Sequence, residues 1–118
     1  MLKTILKTSG IAAIIFSQSV APANAFPLVG MNGVCPNAAN LADYISNTYP
    51  GVQSIGGIRP DRLPDHPSGH AIDIMTGSNM GLGDSIAADI KSQTGRFGVK
   101  YVLWRVKDHF NHVHVTVY

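Results

Sequence analysis

A single cysteine, Cys35, is the feature that most restricts how this chain can fold. The first 25 residues predict a secretory signal, because Lys3 and Lys7 precede the apolar run Ile11–Phe16 and Ala23–Ala25 offers a small-residue cleavage site. The predicted secreted domain, residues 26–118, is small for a chain that folds without added stabilisation. An internal disulfide needs two cysteines, so a bound metal ion is the more plausible source of that stabilisation. The cysteine itself is expected to be either a free buried thiol or a link to another chain.

The balanced charge of the predicted secreted domain argues against binding to nucleic acids or anionic membranes. Lys3 and Lys7 account for the formal net charge of +2, and residues 26–118 balance seven basic against seven acidic side chains. Such a domain lacks the excess of Lys and Arg that binds nucleic-acid phosphates or anionic lipids. The apolar run of the signal is also shorter than the roughly 20 residues needed to span a bilayer. We therefore expect no nucleic-acid partner and no membrane span after signal cleavage.

The hydrophobic pattern predicts one α+β domain with two helices and a small, largely antiparallel sheet. Residues 26–36, rich in Gly, Pro and Asn, are expected to be irregular. The predicted order is helix, strand, strand, helix, strand, strand. The helices lie between Pro36 and Tyr49 and from Leu82 to about Gly95, and the strands cover residues 52–58, 70–75, 100–106 and 112–118.

Side chains that can carry chemistry concentrate in two segments, residues 65–73 and 112–114. His112 and His114 are two positions apart on a predicted strand, so both imidazoles face the same side. The turn-forming segment Pro67–Gly69 can fold His66 back over the strand that carries Asp73. A loop histidine, a strand aspartate and a histidine of the last strand make a set of two nitrogens and one oxygen. That set suits a catalytic zinc with one position left for water.

Each of these residues also has a plainer explanation. A His-x-His pair in a terminal strand is more often a half-exposed strand face than a metal site. Asp73 is harder to explain in this way, because burying a carboxylate in an apolar strand without a partner is costly. The combination of His66, Asp73 and the His-x-His pair favours a metal site. His70 and His109 are predicted to lie at the surface or to support the site without binding the metal.

The motifs resemble a known group of enzymes. His66-x-x-Gly69-x-Ala71-x-Asp73, followed by His-x-His, is similar to the paired signature of the zinc peptidases grouped with lysostaphin, the D-alanyl-D-alanine metallopeptidases and the hedgehog fold. The segment Ser54–Arg59 is similar to the Ser-Gly-Tyr-Arg segment of the D-alanyl-D-alanine branch. The stretches at residues 54–57, 63–69, 101–105 and 112–115 carry the nearest resemblance, which covers about residues 36–118 and is to a small secreted domain of actinobacteria and some fungi.

The resemblance implies a division of roles among the site residues. It makes His66, Asp73 and His114 the zinc ligands and places His112 where the group has a catalytic base or transition-state stabiliser. It gives Arg59 the role of binding a substrate carboxylate or an oxyanion. Because the chain contains no glutamate, the role of a glutamate base in related enzymes passes to His112. A surface ion pair between Arg59 and a nearby carboxylate, Asp61 or Asp65, is the alternative for that arginine.

Three functions compete on the sequence. The favoured hypothesis is a secreted zinc peptidase or amidase whose substrate, as the resemblance implies, is a peptide of the cell-wall peptidoglycan. The second is a zinc-stabilised secreted domain without catalysis, which the missing glutamate and the short link 106–111 favour. The third is a metal-dependent nuclease, against which the balanced charge counts. The sequence makes no prediction of oligomeric state.

Overall fold

The structure is a computed structural model that describes residues 26–118, so the predicted signal peptide lies outside the described residues. It contains three helices and five strands within that part of the chain. In chain order these are β1 (Leu28–Val29), α1 (Pro36–Thr48), β2 (Ser54–Gly56), β3 (Ala71–Met75), α2 (Met80–Ser92), α3 (Thr94–Phe97), β4 (Val99–Leu103) and β5 (His112–Val117). The predicted α+β class is confirmed.

The five strands form one mixed sheet in the order β1-β2-β3-β5-β4. β1 runs parallel to β2, and the other three pairings are antiparallel, so the sheet is largely antiparallel as predicted. β3 and β5 lie at its centre. Their register sets Asp73 opposite His114 and Met75 opposite His112. The two segments that hold the candidate site residues, 65–73 and 112–114, therefore meet where β3 pairs with β5.

The two faces of the sheet have different roles because side chains alternate along each strand. Ile72 and Ile74 of β3 and Val113 and Val115 of β5 are fully buried in the hydrophobic core. The core is completed by apolar helix residues at helical spacing, namely Ala38, Leu41, Ala42 and Ile45 of α1 and Ile86, Ala87 and Ile90 of α2. The helices thus cover one face of the sheet. The residues of β3 and β5 that alternate with these core residues point to the opposite face.

Several element boundaries differ from the prediction. β1 lies inside the segment that was expected to be irregular. Its backbone pairs with β2, although the side chains of residues 28 and 29 are both exposed. β2 is shorter than predicted and ends at Gly56. α3 is an additional helical turn that follows Gln93 and ends at Gly98, which has a φ of 61°. The predicted strand 100–106 ends at Leu103, and Val106 instead pairs with His109 in an isolated bridge.

Residues 26–118 include no helix that is both long and apolar enough to cross a membrane.

Candidate metal centre

The polar face of the sheet brings together the three residues predicted as metal ligands. Asp73 and His114 face each other across β3 and β5, and His66 reaches them from the loop between β2 and β3. One donor atom of each residue lies within 4.8 Å of the other two. All three side chains are buried: His66 is 1% exposed, Asp73 8% and His114 6%. This group could hold a metal ion.

The position of His66 depends on a tight turn in its loop. Gly69 donates its backbone N–H to the carbonyl of His66 (3.1 Å), and His70 donates to the carbonyl of Asp65 (3.0 Å). Gly69 has a φ of 80°, and a Cβ there would lie 3.1 Å from the backbone of Gly33 and of Val34. Glycine is needed at this position for both reasons. The turn predicted at Pro67–Gly69 therefore folds His66 onto the sheet.

The donor atoms are closely and evenly spaced. The Nε2 atom of His66 lies 3.3 Å from Nδ1 of His114 and 3.2 Å from Oδ2 of Asp73. The Nδ1 atom of His114 lies 3.2 Å from Oδ1 of Asp73. Two imidazole nitrogens and the Asp73 carboxylate thus form a triangle, in which a different carboxylate oxygen faces each nitrogen.

Hydrogen bonds on the outer side of each imidazole assign its tautomer. The Nδ1–H of His66 donates to the carbonyl of Gly57 (2.8 Å). The Nε2–H of His114 donates to Oγ1 of Thr116 (2.8 Å), whose hydroxyl donates in turn to Asp65 (2.8 Å). When both imidazoles are neutral, these outer bonds leave their inner nitrogens as lone pairs that face the carboxylate of Asp73. Lone pairs at these distances repel unless a positive charge lies between them, and a metal cation satisfies that requirement.

The pKa shifts of Asp73 and His66 also indicate that the site favours positive charge. Burial opposes ionisation of Asp73, but its contacts with His114 and His66 outweigh burial and hold its pKa well below the usual range. Burial also opposes a charge on His66, yet its contacts with Asp73 and with the carbonyl of Gly57 raise its pKa. Both shifts favour positive charge beside the carboxylate of Asp73.

Arg59 contacts the same carboxylate from the open side. Its Nε and Nη2 atoms donate to Oδ2 of Asp73 at 3.3 and 3.2 Å, and Nη1 lies 3.5 Å from Oδ2 of Asp61. The side chain is 48% exposed. The alternative pairing with Asp61 is therefore present, whereas Asp65 bonds to other residues. Arg59 also contacts Asp73 of the candidate metal-binding group, a contact that the predicted surface ion pair did not include.

His112 lies beside the triangle without being part of it. Its Nδ1–H donates to the side-chain carbonyl of Asn111 (2.7 Å), which leaves Nε2 as a lone pair 3.6 Å from Oδ1 of Asp73. Burial is the main cause that lowers the pKa of His112. A neutral imidazole with a free nitrogen at the edge of a metal centre can accept a proton.

The open side of the centre is a pocket of about 320 Å³. Arg59, His109, His112 and His114 contribute polar groups to its lining, and its apolar lining comes from Leu63, Tyr101 and Leu103. His109 lines this pocket, which agrees with the second of its two predicted positions, beside the site without binding the metal. Its ring centroid lies 4.9 Å from that of His112 and 5.7 Å from that of His114.

The link between β4 and β5 that carries His109 has an unusual backbone. Arg105 and Asp108 have positive φ values of 57° and 64°, which are uncommon for residues other than glycine. Arg105 is fixed by two hydrogen bonds to Asp84 of α2 (2.8 and 3.0 Å). No sequence signal indicated this arrangement, since it depends on contacts between distant segments.

The other residues singled out by the sequence lie away from the triangle. His70 bonds through Nδ1 to the carbonyl of Val117 (3.2 Å) and does not line the pocket. Cys35 is a free, half-buried thiol at the start of α1, with Sγ 3.8 Å from the carbonyl of Tyr118. Of the two expectations, a buried free thiol or a link to another chain, the first is met only in part, since the thiol is half-buried.

A family model described as VldE, C-terminal domain, matches residues 30–112. The match covers more than half of the chain, and the chain therefore belongs to this family. The matched range includes Arg59, His66, Asp73 and His112, and it ends before His114. Comparisons with curated proteins and with solved structures gave no match.

Proposed function

We propose that this member of the VldE C-terminal domain family is a secreted zinc peptidase or amidase. The proposed reaction is hydrolysis of a peptide bond of cell-wall peptidoglycan by a metal-activated water. The observation that carries the proposal is the convergence of two imidazole lone pairs and one carboxylate beside a third imidazole with a free Nε2.

The spacing of the donors supports zinc as the metal. Zinc binds histidine nitrogens and carboxylate oxygens at about 2.0–2.2 Å with tetrahedral geometry, so two of its ligands lie about 3.3 Å apart. The two histidine nitrogens lie 3.3 Å apart, and each lies 3.2 Å from the oxygen of Asp73 that faces it. Two nitrogens and one oxygen are also the composition of many catalytic zinc sites, which keep a fourth position for water.

The residues around the triangle fit the steps of peptide hydrolysis. When bound, zinc supplies the acidification of a water molecule and the polarisation of the scissile carbonyl. His112 takes the proton of the attacking water on Nε2 and returns it to the nitrogen of the leaving amine. Asn111 holds its other ring nitrogen and so keeps Nε2 directed at the site. Arg59, at the pocket, offsets negative charge that develops on the carbonyl oxygen.

Support for the substrate class comes from the sequence motifs and the predicted signal. The resemblance to D-alanyl-D-alanine metallopeptidases implies a wall peptide, and a secreted enzyme meets such peptides outside the cell. The pocket lining of Leu63, Tyr101 and Leu103 offers an apolar wall against which a small side chain can pack.

A zinc-stabilised domain without catalysis is the second candidate. The deep burial of His66, Asp73 and His114 favours it, because a structural site needs no access for substrate. The link between β4 and β5 is also short for the wall of a cleft. This candidate predicts zinc binding without hydrolysis.

Hydrolysis of a panel of muropeptides by the purified protein tests the proposal. We expect cleavage that is lost when zinc is removed and returns when it is added back. The variant His112→Ala should keep its zinc, since His112 lies outside the triangle, and should lose about 100-fold or more of the rate, as removal of a general base does.

His70→Ala is the matched control for this experiment, because it removes an imidazole that bonds to the carbonyl of Val117. It should retain zinc and most of the rate. A zinc-loaded protein that cleaves no member of a broad panel favours the second candidate. Loss of zinc in His112→Ala contradicts the assigned division of roles.

A further inference from the structure

We infer that Asp65, Thr116 and Tyr101 form a positioning chain that holds His114 in the orientation and tautomer needed for metal binding. This inference rests on the metal binding in the proposed function, and it assigns a role to three residues for which the sequence motifs suggest none.

The chain begins at the outer nitrogen of His114. Its Nε2–H donates to Oγ1 of Thr116 at 2.8 Å, and the hydroxyl of Thr116 donates to Oδ2 of Asp65 at 2.8 Å. Thr116 is two residues along β5 from His114, so both side chains lie on the same face of the sheet. Thr116 is only 2% exposed, which shields both bonds from competing water.

Tyr101 closes the chain from the neighbouring strand. Its hydroxyl donates to the same oxygen of Asp65, and its ring stacks on that of His114 at 6.0 Å between centroids with an angle of 18°. A register shift between Val99 and Tyr101 brings Tyr101 opposite Thr116 on β5. Such bulges are a common means of redirecting a side chain towards a site.

The result is an imidazole held at its outer nitrogen, with its inner nitrogen facing His66. His66 lies 3.3 Å from Nδ1 of His114, and Asp65 reaches Nε2 through Thr116. Because the Asp65 carboxylate can only accept hydrogen bonds when ionised, Thr116 must donate to it and accept from His114. The proton of His114 therefore stays on Nε2, and the lone pair on Nδ1 would be free to bind the metal. Outer partners of this kind orient metal-binding histidines, and their loss commonly lowers metal affinity by about 10- to 100-fold.

Zinc affinity of Thr116 variants, measured by competition with a chelator, tests the inference. Thr116→Val keeps the shape of the side chain and removes the hydroxyl, so zinc should bind about 10- to 100-fold more weakly. Thr116→Ser restores the hydroxyl and should bind zinc nearly as the original protein does. Asp65→Asn should weaken binding in the same direction. The absorption bands of the cobalt-substituted protein should shift in Thr116→Val, because the altered histidine changes the ligand field.

Thr76→Val is the matched control. Thr76 is also 2% exposed, and its hydroxyl has no hydrogen-bond partner among the described residues. The same substitution there should leave zinc affinity and the cobalt bands unchanged. Melting temperatures of all variants in chelator separate a loss of fold stability from a loss of zinc affinity.

Two results overturn the inference. One is a Thr116→Val variant with unchanged zinc affinity and unchanged cobalt bands, and the other is a Thr116→Ser variant as impaired as Thr116→Val. A protein that binds zinc but cleaves nothing refutes the peptidase proposal alone, since these readouts do not depend on hydrolysis. Failure of the original protein to bind zinc overturns both.

Discussion

Asp73 is the residue on which the nitrogen-bearing side chains of the site converge. Arg59 donates two hydrogen bonds to one of its oxygens, and His66, His112 and His114 each bring a nitrogen within 3.6 Å of the carboxylate. A carboxylate this well surrounded stays ionised despite its burial. Its charge is what makes a cation favourable at the centre of the triangle.

The two non-equivalent histidines His66 and His112 should titrate on opposite sides of the ordinary histidine pKa of about 6.5 in the metal-free protein. Contacts with Asp73 overcome burial and raise the pKa of His66, whereas burial lowers that of His112. NMR titration of the ring protons in chelator measures both directly. Zinc should abolish the titration of His66, because the metal takes the nitrogen that the proton would occupy.

Stability measurements would show this effect less clearly, because the two contributions have opposite signs. The contribution of His66 is complete below about pH 6.5 and is lost as pH rises through its raised folded-state pKa. The contribution of His112 is present at higher pH and is lost as pH falls from about 6.5 through its lowered pKa. Two histidines that both titrate normally in chelator would contradict the geometry described for the site.

Among the secondary-structure elements, α2 and the link between β4 and β5 are joined at one close contact. Gly83 of α2 faces the ring of Trp104, and a Cβ on Gly83 would overlap that ring. Trp104 donates from its indole N–H to Asp84 (2.8 Å), which also holds Arg105. Helix α2 thus anchors the link between β4 and β5, which contains the pocket residue His109.

Substitution of two glycines in α2 tests that contact. Alanine is favoured over glycine inside a helix by about 1 kcal/mol, so propensity alone predicts that Gly83→Ala stabilises the protein. We expect the opposite, a loss of about 1–3 kcal/mol in the free energy of unfolding, because the added methyl overpacks against Trp104. Chemical denaturation measures the change.

Gly81→Ala is the control for this prediction, since a Cβ there would meet no atom closer than 3.8 Å. It should be neutral or should stabilise the protein by up to about 1 kcal/mol. If both variants behave alike, the packing of Trp104 on α2 is not as described.

The elements that the sequence predicted well are those with local causes. The spacing of Leu41, Ala42 and Ile45 is enough to predict α1, and the alternation along residues 71–75 is enough to predict β3. β1 and α3 were missed because β1 depends on pairing with a distant strand and α3 is a single helical turn.

In the candidate site, too, the sequence predicted what has a local signal and missed what depends on contacts between distant segments. Motif spacing predicted one loop histidine, Asp73 and one histidine of the last strand, and the resemblance implied His114; the structure brings His66, Asp73 and His114 together. The roles of Thr116 and Tyr101 could not be read from the sequence, because they depend on the register of β4 and β5 and on the irregularity within it.

At the scale of the whole molecule, the sheet separates stability from chemistry. One face packs against the helices in a core made almost entirely of aliphatic side chains, and the other carries the buried polar group. With one cysteine, the chain has no internal disulfide to compensate for its small core. A metal ion that binds only the folded state adds stability, about 2.7 kcal/mol when its free concentration is 100 times its dissociation constant.

Zinc stoichiometry, measured by native mass spectrometry with thermal unfolding of the same sample, tests the central claim most directly. We expect one zinc per chain, a melting temperature that falls when a chelator removes it, and neither effect in Asp73→Ala. A protein that binds no zinc when zinc is supplied, and whose melting temperature does not respond to it, would contradict the account.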